Sequence, residues 1–337
     1  MSLSHPLLAV GALLFAGCQP LSRGLLEDVD LRPPTLLSTT ATSDTAVTLT
    51  FNEWVELEAG SLVVEPELQL ELAATSPGDT VHLIGARHQP GASYRLSATA
   101  HDAAGNTTWF VTEFWGHNPR LPTLLINELT TQGSATRPDA VELLVLNGGN
   151  LGGVTLFDGV PGNYEDRVVM PPVEVAAGEY IVIHATDNGL GEDETTHADQ
   201  SAHPMAIAGA WDLWLESGSG LSGNNGVVTV FSHPDGRLVA ALLYSNRTSS
   251  SDERYRGFGT RAVMERVDAV TALGGWAIAG ALATPEEAVS SAHTTSTRSI
   301  GRGSASTDTD SAADWHTVPT RGASFGAANS DARYQPG

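Results

Sequence analysis

The sequence contains no lysine. Its basic residues are 17 arginines, set against 39 aspartates and glutamates, and the formal net charge of the 337-residue chain is −22. Without a lysine ammonium group the chain cannot build a P-loop, a Schiff-base site or a kinase-type phosphate site. The acidic balance also argues against a protein that binds nucleic acid by neutralising phosphates, so we expect no nucleic-acid partner.

Cysteine and long apolar runs are also scarce. Cys18 is the single cysteine, which excludes a disulfide within the chain and a cysteine-rich zinc site. No apolar run reaches the ~20 residues that a membrane-spanning helix needs. Glycine and proline are abundant instead, with 35 and 18 residues. This composition is typical of a turn-rich, mostly β protein.

The N-terminus has the features of an export signal. Residues 1–17 contain no charged side chain of the Asp, Glu, Lys or Arg type, and an apolar stretch fills residues 7–17. The stretch is too short to cross a bilayer but fits the apolar region of a secretory signal. The sequence therefore predicts a signal peptide over residues 1–17.

The end of this segment, Leu14-Phe15-Ala16-Gly17-Cys18, resembles the lipobox of bacterial lipoproteins, in which small residues precede the cysteine that receives lipid. The resemblance implies a lipid anchor at Cys18 and attachment to the cell envelope. Gln19 follows instead of the Asp that retains many lipoproteins in the inner membrane, which favours the outer membrane. Residues 18–32 would form a tether. The alternative is an ordinary signal peptide that leaves Cys18 free.

A first module is expected over residues 33–116. Apolar and polar residues alternate along Val47-Thr48-Leu49-Thr50-Phe51, and again along the stretch that begins at Tyr94. Such alternation is typical of strands with one buried face. Turn sequences rich in Pro and Gly separate these stretches at the spacing of a β-sandwich.

Three pieces of this module resemble a bacterial Ig-like domain. They are the opening Arg32-Pro33-Pro34-Thr35, the strand that runs from Val47 to Glu53, and Tyr94-Arg95-Leu96 followed by the turn Asp102-Ala103-Ala104-Gly105-Asn106. The resemblance covers about 85 residues and implies a β-sandwich that serves as a spacer or an adhesive module.

A second module is expected over residues 120–329, after the linker Gly116-His117-Asn118-Pro119. It contains an Ile126-Asn127-Glu128 strand, a Val141-Glu142-Leu143 strand and a Gly178-Glu179-Tyr180 turn that leads into an apolar strand. This succession resembles the lamin-tail domain, an Ig-like sandwich of nuclear lamins and many secreted bacterial proteins. The closing segments would start at Thr297, Asp308 and Gly322.

The middle of this module fits the resemblance poorly. Residues 185–225 and 245–296 are interpreted as insertions, and Thr284-Pro285-Glu286-Glu287 predicts a short helix with Pro at its first position. The tail, residues 330–337, is expected to be frayed. The predicted fold class is all-β: two Ig-like β-sandwich domains in tandem, the second enlarged by loop insertions with a short helix.

The sequence contains one motif of hydrolases. Gly322-Ala323-Ser324-Phe325-Gly326 matches the G-x-S-x-G nucleophile elbow. In those enzymes the acid and the histidine follow the serine, whereas the last histidine here, His316, precedes Ser324. We therefore interpret the motif as a terminal turn and expect no catalytic residue.

A metal site is the main alternative. The stretch from His184 to His203 carries carboxylates and imidazoles that could bind Ca²⁺ or a transition metal. These side chains are Asp187, Glu192, Asp193, Glu194, His197 and Asp199. These residues lack a recognised ligand spacing, and the stretch also contains glycines at 189 and 191. We therefore expect a solvated acidic loop without a metal, and we expect no cofactor.

Two further motifs are incomplete. Arg256-Gly257-Phe258-Gly259 begins like an RNA-binding signature but continues with Thr and Arg, and it lies in a segment of mixed charge that predicts a solvated surface. The acidic run from Asp308 to Asp314 begins like a calcium loop but lacks the glycine and glutamate that an EF-hand requires.

The seven tryptophans could provide stacking sites for sugars, but Ig-like cores bury tryptophan, and core positions are expected. Together these observations predict a non-catalytic envelope lipoprotein with a structural, adhesive or binding role. Its partners would be the membrane and an envelope protein or polysaccharide. The alternatives are a metal-dependent envelope hydrolase, of phosphodiesterase or nuclease type, and a Ca²⁺-stabilised adhesin.

Overall fold

The computed structural model describes residues 30–73, 78–186 and 204–336. These ranges contain twenty β-strands and one α-helix, so the all-β fold class is confirmed. The predicted signal peptide, Cys18 and most of the tether lie outside the described residues, as do residues 187–203 of the acidic loop. No helix in the described ranges is long and apolar enough to cross a bilayer.

The first seven strands form one sheet around an apolar core. Their order is β3-β6-β2-β5-β4, with β1 paired to β2 and β7 paired to β6. The strands are β1 (Leu36–Ser43), β2 (Ala46–Leu57), β3 (Val63–Glu65), β4 (Leu70–Leu72), β5 (Gly78–Gly85), β6 (Ser93–Asp102) and β7 (Thr107–Trp115). The first half of β2 pairs with β5 and the second half with β6, so this long strand joins the two halves of the sheet.

The remaining strands form two main sheets. They are β8 (Thr123–Thr130), β9 (Ala140–Asn147), β10 (Gly149–Asn150), β11 (Thr155–Val160), β12 (Asn163–Val169), β13 (Glu174–Val175), β14 (Tyr180–His184), β15 (Ala210–Trp214), β16 (Asn225–Phe231), β17 (Leu238–Ser245), β18 (Val289–Ser290), β19 (Ile300–Arg302) and β20 (Trp315–Thr317). A six-stranded sheet has the order β15-β14-β9-β8-β19-β20, and a five-stranded sheet has the order β12-β11-β16-β17-β18.

These two sheets share one core, and β2 to β7 enclose another. The first cluster of buried apolar residues lies within residues 47–114 and the second within 124–315, with no residue in common. Asn118 connects the regions: its side-chain amide donates to the carbonyl oxygens of Asn150, at 2.7 Å, and of Gly152, at 3.0 Å. The division into separately folding modules near residue 116 stays a prediction, tested below.

A short helix begins where the sequence pattern placed it, with Thr284 as its cap and Pro285 at its first position. It is a 3₁₀ helix of three residues, Pro285–Glu287, because the chain becomes extended at Ala288 and enters β18. The α-helix, α1 (Arg261–Ala272), begins after Thr260, whose side chain accepts a hydrogen bond from the backbone of Val263. Its buried valines lie at positions 263, 267 and 270 and face the five-stranded sheet.

The segment interpreted as an insertion, 185–225, contains β15, which pairs in parallel with β14 and is part of the sheet. One other expectation is corrected. The tail is not frayed over its described residues, since the backbone N–H of Tyr334 donates to the carbonyl of Thr317 at 2.8 Å. The Arg298 guanidinium also lies 4.1 Å from the centroid of the Tyr334 ring.

Candidate functional site

The outer face of the six-stranded sheet carries a row of buried carboxylates. The strand register places Glu128 beside Glu142, Glu142 beside Val182, and Val182 beside Asp212. Neighbouring residues of these strands, such as Ile181, point to the core, so the row faces the opposite side. All three carboxylates are at most 2% exposed, because other parts of the chain cover this face.

The two glutamates hold the C-terminal segment against the sheet. Glu128 accepts hydrogen bonds from the Ser299 hydroxyl and from both the backbone N–H and the hydroxyl of Ser324, the last at 2.8 Å. Glu142 accepts from the Asn127 amide at 2.8 Å and from the backbone N–H of Gly326 at 2.6 Å. These carboxylates therefore serve as acceptors for an irregular segment that has no strand partner of its own.

Burial changes the protonation of this pair. Desolvation raises the pKa of Glu142 to about 8, although its hydrogen bonds with Asn127 and Gly326 lower it, and the neighbouring Glu128 charge adds to the rise. Desolvation also raises the pKa of Glu128, against the hydrogen bonds from Ser299 and Ser324. Two carboxylates side by side away from water resist simultaneous ionisation.

A histidine–aspartate pair lies at the other side of the same face. The His184 Nε2 and Asp212 Oδ1 atoms are 2.7 Å apart, and both side chains are buried. The His184 ring stacks on Trp214 with centroids 5.0 Å apart. Asp212 also accepts from the backbone N–H of Ile207 at 3.1 Å. The pair thus fixes the segment that precedes β15.

A cavity of about 350 Å³ lies between this face and its covering segments. Its lining includes three cationic or titratable side chains, Arg137, His184 and Arg298. The apolar part of the lining comes from Pro138, Ala140, Val182, Pro204, Met205, Ala206, Ile207, Ala323 and Phe325. Hydroxyl groups come from Thr130, Thr136, Ser296 and Ser299. Such a mixture of apolar walls and a few polar groups is typical of ligand pockets.

This pocket was not predicted from the sequence. His184 was expected at one end of an acidic loop, with metal binding as the alternative, but it lies in β14 with Asp212 as its partner. The other expected ligands, from Asp187 to His203, lie outside the described residues. The metal-dependent hydrolase alternative therefore gains no support from the one member of its ligand set that is described.

The G-x-S-x-G motif lies in a turn. The Ser324 hydroxyl is bonded to Glu128 and, at 3.0 Å, to the Asn329 side-chain oxygen. His316 lies in β20, and its Nε2 is 3.0 Å from the carbonyl oxygen of Ser330. No helix follows Ser324 within the described residues, so the strand–turn–helix context of a nucleophile elbow is missing there.

The other motifs are explained by the fold. Phe258 is 1% exposed and is part of the core, so it cannot stack on a nucleotide base. The carboxylates of Asp308 and Asp314 pair with the buried guanidinium of Arg302 at 2.9 and 3.2 Å. These acidic residues thus balance a buried arginine.

The expectation that tryptophans occupy core positions holds for only some of them. Trp214, Trp276 and Trp315 are buried, but Trp109 is 68% exposed and Trp54 is 41% exposed. The reason is strand alternation: the buried neighbours Phe110 and Val55 fill the inward positions beside them. For these two residues the prediction was wrong.

One acidic cluster was not anticipated. Oxygen atoms of Asp30, Glu53 and Asp102 lie within 4.8 Å of one another. Asp102 also accepts hydrogen bonds from the backbone and the side-chain amide of Asn106, at 2.8 and 2.7 Å. Burial favours a higher pKa for Asp102, but these bonds outweigh it and the pKa is lowered. The carboxylate therefore serves the Asp-x-x-Gly-Asn turn.

Comparison with known proteins gives a family. The sequence model of the TP_1001 second-domain family, described as "protein second domain", matches residues 122–317, more than half of the chain. The chain belongs to this family. An uncharacterized protein of Treponema pallidum (strain Nichols) is 33% identical over 153 residues, which span 45% of this chain and 39% of that relative. The family match covers every strand of the six-stranded and five-stranded sheets and ends before the segment of Ser324 and Gly326.

A solved structure also aligns with the chain. The crystal structure of dimeric latent PorU from Porphyromonas gingivalis aligns over 67% of this chain and 21% of that protein, with 14% identity and a TM-score of 0.19.

Proposed function

We propose that this TP_1001 second-domain family member is an exported, lipid-anchored binding protein without catalytic activity. Residues 18–32 would tether it to the envelope through Cys18, with the outer membrane favoured. The Ig-like module, residues 33–116, would act as a spacer, and the lamin-tail-like module, residues 120–329, would bind the ligand. The observation that carries the proposal is the 350 Å³ pocket on the outer face of the six-stranded sheet.

The pocket is supported by a rigid surface. Val182 and Ala140, which contribute to its floor, lie in the paired strands β14 and β9. The covering segments are held by hydrogen bonds from Gly326 to Glu142 and from Ile207 to Asp212. A cavity formed before the ligand arrives loses little conformational entropy on binding.

The groups that could perform hydrolysis have structural partners. The Ser324 hydroxyl donates to Glu128, but this fully buried carboxylate also accepts from Ser299 and from the backbone N–H of Ser324, so it is engaged in holding the C-terminal segment. The His184 ring is bonded to Asp212 and stacked on Trp214. This arrangement supports binding over catalysis, with the residues of the Ser324 turn acting as a wall.

The binding proposal is tested with a variant that fills the cavity. Ala323 is exposed at the pocket, so Ala323→Phe adds a ring there without disturbing the core. The purified full chain in detergent is screened by ligand-observed NMR against small molecules of anionic, neutral and cationic type. We expect compounds that bind the wild type and the control Ala104→Phe, an exposed turn residue of the first module, and are lost on Ala323→Phe. The absence of any such compound would contradict the proposal.

The anchor is tested separately. Cys18→Ala removes the only thiol, so we expect the protein to leave the membrane fraction and to lose labelling by radioactive fatty acid. Ser22→Ala, a change in the predicted tether, serves as the control and should keep both. A Cys18→Ala protein that still incorporates fatty acid would show that the lipid is attached elsewhere.

A further inference from the structure

Two turns of the same construction flank the pocket. In one, Ser134 and Arg137 exchange backbone hydrogen bonds of 2.6 and 3.0 Å across Ala135 and Thr136. In the other, Thr295 and Arg298 exchange bonds of 3.1 and 3.0 Å across Ser296 and Thr297. The hydroxyl contacts also match: in each turn the side-chain oxygens of the first and third residues are 3.4 Å apart. Both turns have the pattern Ser/Thr-x-Thr-Arg and end on an arginine that lines the pocket.

Strand order explains why the two turns meet. The first turn lies between β8 and β9, and the second leads into β19. Because β19 pairs antiparallel with β8 and Ile300 aligns with Leu129, the start of β19 lies beside the end of β8. The register also aligns Thr130 with Ala140, at the start of β9. Residues 161 positions apart, Arg137 and Arg298, thus reach the same end of one sheet.

The charged side chains that line the pocket have the opposite sign to the net charge of the chain. In a protein of net charge −22, none of the lining residues in the described ranges is Asp or Glu, whereas two are arginines. Arg137 and Arg298 form no ion pair with the described carboxylates, so both charges remain available to a ligand. Arg298 instead rests on the Tyr334 ring and bonds to Thr295, which keeps its side chain in place.

We propose that the pocket binds small organic carboxylates, an inference that rests on the binding function proposed above. The guanidinium groups of Arg137 and Arg298 would take the carboxylate, because their planar forks match its two oxygens. The apolar body would lie against Val182, Ile207 and Phe325. At about 350 Å³ the cavity is near the lower limit of ligand pockets, which suits a ligand of about six to ten carbon atoms.

The test uses matched probes and the full chain in detergent. Benzoate, hexanoate and cyclohexanecarboxylate are titrated by calorimetry alongside the corresponding amides and amines, which keep the apolar body and change the charge. Arg137→Gln and Arg298→Gln remove one guanidinium each, and Arg298→Lys keeps the charge without the fork. Arg95→Gln removes an equal charge from β6 in the first module, and thermal unfolding verifies that every variant folds.

We expect the carboxylates to bind and their amides and amines to bind at least about tenfold more weakly. Each Arg→Gln change in the pocket should weaken carboxylate binding about tenfold or more, as the loss of a charge-assisted hydrogen bond implies. The carboxylate affinity of Arg298→Lys should lie between those of the wild type and Arg298→Gln, and the affinity of Arg95→Gln should equal that of the wild type.

Two other outcomes separate the proposals. If neutral or cationic probes bind, are lost on Ala323→Phe and are indifferent to Arg137→Gln and Arg298→Gln, the carboxylate inference is wrong and the binding function stands. If no probe of any charge binds in a manner sensitive to Ala323→Phe, both are wrong.

Discussion

The first region of this protein, β1 to β7, and the second region, β8 to β20, bury their side chains in different patterns. In β6 every second residue is buried and the others face solvent at least in part, so the first core is filled from one face of the strand, mainly by apolar side chains. In β11 and β16 every residue is buried, and β9 is buried on both faces for half its length. The covered faces of the second region therefore place ionisable groups away from water, and each needs a partner.

The difference shows where a binding site can form. Covering the outer face of a sheet with irregular chain leaves cavities and brings distant side chains together, as it does for Arg137 and Arg298. An open outer face, like the one that exposes Trp109, keeps strand geometry simple, and among its described residues it has a smaller groove of about 240 Å³ that Trp109 and Val111 line. The predictions below test this contrast.

The largest change in the free energy of unfolding is expected for a substitution of the buried arginine of the second region. Arg302 is 2% exposed, donates to the Ile126 carbonyl at 2.8 Å and pairs with Asp308 and Asp314. Arg302→Met leaves the buried Asp314 without its counter-charge, which should lower the free energy of unfolding by about 3–5 kcal/mol. Urea unfolding of the full chain measures it.

The matched control is in the first region. Arg87 is 78% exposed and pairs with Asp44 at 3.1 Å, so Arg87→Met should change stability by less than about 1 kcal/mol. Equal effects of the two substitutions would contradict the contrast between covered and open faces.

The separation of the cores is tested by a cavity in each. Leu96→Ala in the first core and Leu143→Ala in the second each remove a fully buried side chain and should cost about 2–5 kcal/mol. Calorimetry should show that each variant lowers only one of two transitions, and fragments 30–117 and 119–337 should each unfold cooperatively. A single transition shifted by both variants would place the two cores in one cooperative unit.

The two regions should respond to pH with opposite sign. Burial raises the pKa of Glu142 to about 8 and that of Asp158 to about 7, above their unfolded values near 4. The folded state then keeps protons that the unfolded state has lost, so these two carboxyl groups should make the second region less stable as pH rises from about 4.5 to 8, while His233 and His316, whose pKa values burial lowers, act in the opposite sense. The slope is at most about 1.4 kcal/mol per pH unit for each group.

The first region should behave in the reverse way. Hydrogen bonds outweigh burial and lower the pKa of Asp102, and burial lowers the pKa of His88, so both groups favour the folded state at higher pH. Stability there should fall as the solution is acidified. Urea midpoints from about pH 3 to 8 give the two slopes, with the His88 contribution lost below about pH 6.5 and the Asp102 contribution below about pH 4. Glu142→Gln should flatten only the slope of the second region, while Glu113→Gln, an exposed control, should leave both slopes unchanged.

The smallest effect concerns the helix, which only the second region has. Thr260→Ala removes the hydroxyl that caps α1 by accepting from Val263, and the loss should be about 1 kcal/mol. Thr248→Ala, before an exposed 3₁₀ turn, is the comparison and should cost less. Equal losses would mean that the cap of α1 contributes nothing specific.

Local patterns were sufficient for most strands and insufficient for the pocket. Alternation along Val47–Phe51 and Tyr94–Ala100 reports a strand with one exposed face, because the side-chain period of two is a local property. The apolar positions 263, 267 and 270 carried a helical period as well, but the arginines and glutamates between them were interpreted as a solvated surface.

The pocket depends on pairing between distant strands. The repeated Ser/Thr-x-Thr-Arg pattern at 134–137 and 295–298 was visible, yet nothing local shows that β19 lies beside β8. In the same way, Glu128 and Glu142 belong to recognisable strands, but their shared burial follows from the C-terminal segment that covers them. Long-range register, and not residue type, decides which side chains form the site.

The most direct measurement is a crystal structure of the full chain soaked with benzoate at a concentration that saturates binding in solution. We expect benzoate in the 350 Å³ pocket, with its carboxylate within hydrogen-bond distance of Arg137 and Arg298 and its ring against Ile207 or Phe325. Benzoate bound elsewhere, with this pocket empty, would contradict it.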